Sequence, residues 1–203
     1  MKSLSEIDTT AKRASRAAGY SWGISEEVGK NIKLLEFFGL PGIKNLVNFY
    51  KKKKIEKFEN LNLIIKENKN NNFKFCPIFL GISFLDQIKS LEDLEEVKFY
   101  NIAYPILFLP FVSRASEELG RRFLLKIDKY EFLLNFNKKI LVNSINSFTS
   151  ENGEQVTIKF LNNSDNFSDN DWNELYKMSE DTFVEESDSL KKDGAGAGLT
   201  DND

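Results

Sequence analysis

Apolar residues recur at helical spacing over the first fifty positions and shorten to strand-length runs beyond residue 120. Leu4, Ile7, Ala11, Ala14 and Ala18 lie three or four apart, the signature of one buried helix face. Ser3-Leu4-Ser5-Glu6 precedes them as a capping box, in which Ser3 caps and Glu6 reaches back. Gly19 ends this helix by accepting a left-handed backbone. A second helix is predicted from Trp22 to Phe38, with the stripe Ile24, Val28, Ile32, Leu35 and Phe38 and a stop at Gly39. After the turn Leu40-Pro41-Gly42, residues Ile43, Leu46, Val47 and Tyr50 mark a third helix that runs into Lys51–Lys54. Each helix exposes one apolar stripe, so the three should pack together.

Residues 55–72 turn Lys/Asn-rich and read as a disordered or loosely held loop, with Leu61–Ile65 open to either a short strand or a helix. Order returns at Phe73. Cys76-Pro77 opens an apolar helix to about Ser90, and Val97–Tyr100 has strand character. Pro105–Phe111 is a continuous apolar run, read as a central strand buried on both faces, with Ser113 capping a short helix from Arg114 to Leu119. A meander follows, with strands at Phe123–Ile127, Phe132–Phe136 and Ile140–Ile145 and turns at 128–131 and 137–139. Val156–Leu161 is a further strand. The last helix is capped by Ser168 or Asp169 and presents Trp172, Leu175, Tyr176, Ser179 and Phe183 as its buried face. The expected fold is α+β: an N-terminal three-helix unit packed on a mostly antiparallel β-sheet, with a C-terminal helix and a Gly/Ala-rich tail. We read residues 1–203 as one domain, with a helical part (1–54), a loop (55–72), an α+β part (73–186) and an acidic, Gly-rich tail (187–203).

Composition narrows the chemistry. The 203 residues contain no histidine, which removes Ser-His-Asp and Cys-His nucleophile systems and His-based metal sites. The single cysteine, Cys76, excludes an intramolecular disulfide and thiolate clusters, and its apolar setting before Pro77 reads as a buried, inert thiol. No cofactor and no metal are implied. A reducing, cytoplasmic compartment is the natural expectation. Residues 1–18 hold no apolar stretch of signal-peptide type. The longest nearly apolar run, Ile102–Val112, is about half the ~20 residues a spanning helix needs, so no membrane is expected.

The net charge of −3 conceals a split. Residues 1–58 carry 12 Lys+Arg against 6 Asp+Glu, and residues 59–203 carry the other 16 against 25. A basic half can touch nucleic acid or attract the acidic half. The pI of about 5.3 speaks against a dedicated nucleic-acid protein, and the cluster Lys51–Lys54 with Lys57 suits a solvated helix end.

Three places carry candidate binding chemistry. Trp22 stands near Glu26 and Glu27, an aromatic wall beside two carboxylates. Adjacent helix positions diverge by ~100°, so these two do not share a proton, and the duller reading places them in a first helical turn, with Glu26 paired to Lys30. Ser113-Arg114 forms a strand-to-helix junction, a common anion site, where Arg114 could grip a carboxylate; an ordinary cap with a surface arginine is the plainer reading. The tail places Gly194, Gly196 and Gly198 before Asp201 and Asp203. It is neither a Walker loop nor a dinucleotide fingerprint, and it reads as a flexible end or a segment that orders on a ligand.

Two segments carry a family resemblance: Ser3–Glu6 through Gly19-Tyr20-Ser21-Trp22-Gly23 to Gly29, and Thr182-Phe183-Val184 through Gly194–Asp203. Together with Cys76-Pro77 and Pro105–Phe111 they resemble an uncharacterised bacterial family, domain of unknown function 3726. The family supplies no mechanism. The resemblance implies that the tail is a family feature, although Lys191-Lys192-Asp193 brings more charge there than the family pattern leads one to expect.

With so few reactive side chains, the leading expectation is a non-catalytic accessory subunit or small-molecule-binding protein associated with a metabolic enzyme. A protein partner, a homo-oligomer or a small-molecule ligand would fit it. The alternative is an enzyme of carboxylate or lysine chemistry, an isomerase or lyase, which must bring Glu26 or Glu27, Arg114 and the tail into one cleft.

Overall fold

Capping and patterning set the first three elements of the computed structural model, which describes residues 2–135, 139–142, 151–162, 166–180 and 182. Helix α1 spans Leu4–Ala17, and its capping box forms as the sequence dictates: Ser3 Oγ accepts from the Glu6 N–H, and Glu6 accepts from the Ser3 N–H. Helix α2 spans Trp22–Phe37 behind an Ser21 cap, and α3 spans Gly42–Lys53. Gly19 and Gly39 take positive φ at the two helix ends, as a left-handed turn requires. Gly29 lets α1 and α2 approach: a Cβ there would stand 2.8 Å from the Asp8 carbonyl oxygen.

The segment after α3 is more firmly held than its composition indicates. It is neither strand nor helix over residues 61–65, yet Ile64 is buried, and Glu67–Asn68 form a short strand β1 paired in parallel with the next strand. Asn68 donates to the carbonyls of Ile65 and Lys98, and its side-chain oxygen accepts from Ile65 N–H. Gln87 accepts from Ile64 N–H and donates to the Asn62 carbonyl. Side-chain amides supply here the partners that backbone pairing supplies elsewhere.

Helix α4 (Pro77–Leu91) starts with proline in its first turn and leads to strand β2 (Glu96–Ala103). The expected strand at Pro105–Phe111 does not form. Pro105–Leu107 is a 3-10 turn, and Leu109–Leu119 is helix α5 with Pro110 in its first turn. A continuous apolar run reads alike for a buried strand and a helix buried all round. The two prolines decide the matter, because each lacks a ladder donor and each suits a helix start. Ser113 is therefore inside α5 and buried, not a cap.

Strands β3 (Phe123–Ile127), β4 (Tyr130–Asn135), β5 (Lys139–Val142) and β6 (Asn152–Phe160) complete a six-stranded sheet of order β1-β2-β6-β3-β4-β5, antiparallel except for β1–β2. The expected turn at 137–139 and the end of the third meander strand fall largely outside the described residues. One sheet face is apolar and carries Val97, Phe99, Phe123, Leu125, Phe132, Leu134 and Ile158, all fully buried. Phe84 of α4 and Phe108 make edge-to-face contacts with Phe99. Gly81 brings α4 onto α5: an added Cβ would meet the Phe111 ring at 2.2 Å. The architecture is α+β, with the N-terminal helices preceding the sheet.

The chain forms two compact units, Met1–Asn163 and Ser164–Asp203. In the second, α6 (Asp169–Glu180) is capped by Ser168, whose Oγ and N–H exchange hydrogen bonds with Asp171. Phe167 stacks on Trp172, a hydrophobic staple across the helix start. The expected buried face of Trp172, Leu175, Tyr176 and Ser179 is exposed, since α6 holds no buried residue. Helical periodicity identifies the helix and leaves open what covers it. Phe183 lies outside the described residues.

Candidate functional site

The sequence candidates separate in space. Glu26 turns to α1 and binds Lys12 Nζ at 2.5 Å, so its expected pairing with Lys30 gives way to a contact between helices. Lys30 instead holds Glu27 at 2.9 Å. Both glutamates lie beyond the first turn of α2, so dipole stabilisation does not account for them. Trp22 is 58% exposed, with Arg16 and Lys12 over its ring at 5.3 and 5.8 Å. The ring faces cations, and Lys12 lies between it and the Glu26 carboxylate.

Glu27 and Arg114 do come together. One Glu27 oxygen accepts from Lys30 and the other from Arg114 of α5, 87 residues away. Partial burial would raise the Glu27 carboxyl. Hydrogen bonds from Arg114 and Lys30, with their charges, outweigh that and hold it below the ordinary carboxylate range. Arg114 sits in the middle of α5, so the expected anion site at a helix N-terminus is absent there. Ser113 points away from solvent, and its carbonyl accepts from Ser116 Oγ at 3.1 Å.

The Glu27–Arg114 pair forms part of the wall of an open cleft of about 610 Å³. Helix α4 adds Ile82, Leu85, Asp86 and Lys89, at i, i+3, i+4 and i+7. Helix α5 adds Glu117 and Glu118 at i+3 and i+4 from Arg114. Four carboxylates and two cations line the cleft, beside the apolar side chains of Ile82 and Leu85. This arrangement suits a small polar ligand carrying a positive group over a short hydrocarbon body. The stripes on α4 and α5 were present in the sequence as helical spacings. Both lie inside helices that the sequence predicts, and what spacing alone leaves out is that the two helices share one cleft with α2.

The thiol of Cys76 is buried at the start of α4, 3.6 Å from Tyr20 Oη, and burial pushes its pKa up. Tyr50 donates to Ser15 Oγ at 2.6 Å beside it, and burial raises the Tyr20 and Tyr50 hydroxyls further. These groups tie α1, α3 and the start of α4 together, with Tyr20, Ser15 and Cys76 buried and Tyr50 half-buried. Among the described residues no group of three or more His, Cys, Asp or Glu could hold a metal ion, and no helix is long and apolar enough to cross a membrane. Gly194, Gly196, Gly198, Asp201 and Asp203 lie outside the described residues.

Residues 2–74 match the model of the family described as "Protein of unknown function (DUF3726)", the family that the N-terminal motifs resemble. The match covers α1, α2, α3 and the segment that follows them, and it ends before α4 and α5. No curated protein and no solved structure matches the chain.

Proposed function

We propose that this protein is a non-catalytic accessory subunit of the bacterial cytoplasm that holds a small polar ligand for a metabolic enzyme. The supporting observation is the α2–α4–α5 cleft, in which Glu27 is kept ionised by Arg114 and Lys30 instead of being tuned toward neutral pH. A general acid or base works best with a pKa near the operating pH, and Glu27 has moved the other way. Excess negative charge around the cleft favours an amine-bearing ligand. Thermal shift of the full chain against small amines, amino acids and dicarboxylates tests this. An amine should raise the melting temperature of the parent and leave a variant with Asp86→Asn and Glu118→Gln unmoved. Stabilisation by dicarboxylates alone would reverse the assigned charge preference. Pull-down from native extract should bring a larger assembly, and recovery of the bare monomer would count against the accessory role.

An isomerase or lyase of carboxylate chemistry is the second reading. Its support is the direct contact of Glu27 with Arg114. Turnover of a metabolite by the purified chain, abolished by Glu27→Gln, would establish it in place of the first.

A further inference from the structure

A second concavity lies between α1 and α3 and shares no residue with the charged cleft. Ile7, Ala11 and Ala14 of α1 face Ile43, Leu46 and Val47 of α3 around a groove of about 240 Å³ that Ile32 of α2 also lines; its two charged lining residues, Lys2 and Glu6, pair with each other at 3.7 Å. The small alanines on one wall and branched side chains on the other create the hollow. Ile43 and Val47 remain 43% and 45% exposed, and grouped exposed aliphatics mark interaction surfaces.

Charge identifies the occupant. Helix α3 carries four lysines and no acidic residue. Lys44 precedes Val47 by three positions and Lys51 follows it by four, so both flank the same helical face. Arg13 follows Thr10, a groove residue of α1, by three. Neither Lys44, Lys51 nor Arg13 makes a side-chain ion pair among the described residues, whereas Lys12, Lys30, Lys33 and Lys52 do. We propose that the groove docks an acidic amphipathic helix of a partner protein. Its aliphatic anchors would enter between α1 and α3, and its carboxylates would meet Lys44, Lys51 and Arg13. An anionic membrane is the poorer match. Leu46 and Phe49 are already buried in the protein's own core, and the surface is concave.

Fluorescence anisotropy on the full chain tests this with a labelled synthetic helix of Leu, Ala and Glu, its leucines at i, i+4 and i+7. The companions are the same peptide with Lys for Glu, and vesicles of phosphatidylglycerol. The acidic peptide should bind, weaken with salt, and lose about tenfold or more in affinity on Val47→Asp and on Lys44→Glu with Lys51→Glu. These positions are exposed, so each variant should keep the parent's circular dichroism and melting temperature; the lysine pair reads the result if Val47→Asp does not. No binding, equal binding of the lysine peptide, indifference to both variants, or preference for the vesicles would overturn the proposal.

Discussion

Glu27 takes one hydrogen bond from its own helix and one from α5, and the second fixes its chemistry. Its carboxyl is lowered relative to an ordinary 4.5, so the folded state binds that proton more weakly than the unfolded chain. The resulting stability is full above the unfolded value and is lost as pH falls through the lower folded one. Glu27→Gln should therefore cost about 1 kcal/mol at neutral pH, a modest figure because both partners are partly exposed, and the gap to the parent should close in acid. Urea titrations across pH check the sign. Gly81 offers a test of opposite character. With the Phe111 ring in the way, Gly81→Ala should destabilise by about 1–3 kcal/mol at every pH, read from the denaturation midpoint. Cys76 should resist Ellman's reagent in the native protein and react once on unfolding, because its thiol is buried and its proton tightly held.

At the level of elements, local chemistry explains what was readable. The Ser3/Glu6 capping box, the left-handed glycines at 19, 39 and 120, and the stripes of α1, α2 and α4 are all instructions carried within a few residues. Ser3→Ala should accordingly cost about 1 kcal/mol, measurable by thermal or urea unfolding. Where non-local partners decide, the pattern is silent. Strand β1 is two residues long, has no periodicity of its own, and exists because Glu67 and Asn68 pair with Lys98 and Phe99. Pro105–Phe111 is apolar on every side because α5 is packed between other elements, and only its prolines separate helix from strand. The Glu27–Arg114 pair was legible as two candidate residues. Their meeting was a condition of the enzyme reading that spacing could not derive, since it depends on how α2 and α5 pack. For the same reason Asp86 and Glu118 could be seen as helix-surface charges and not as neighbours in a cleft.

Across the molecule, two concave surfaces differ in lining: a charged cleft formed by α2, α4 and α5, and an apolar groove with basic flanks between α1 and α3. The absence of histidine and the buried state of the one thiol leave carboxylates, lysines and arginines to do the recognising. The most direct test is a ¹H–¹⁵N NMR titration of the ¹⁵N-labelled full chain with small amines and amino acids, with one-dimensional ¹H spectra of the same samples following the ligand over time. Shifts should concentrate at Glu27, Asp86, Arg114 and Glu118, with the ligand intact after prolonged incubation. An undisturbed cleft across the panel, or steady consumption of the ligand, would contradict the proposed function.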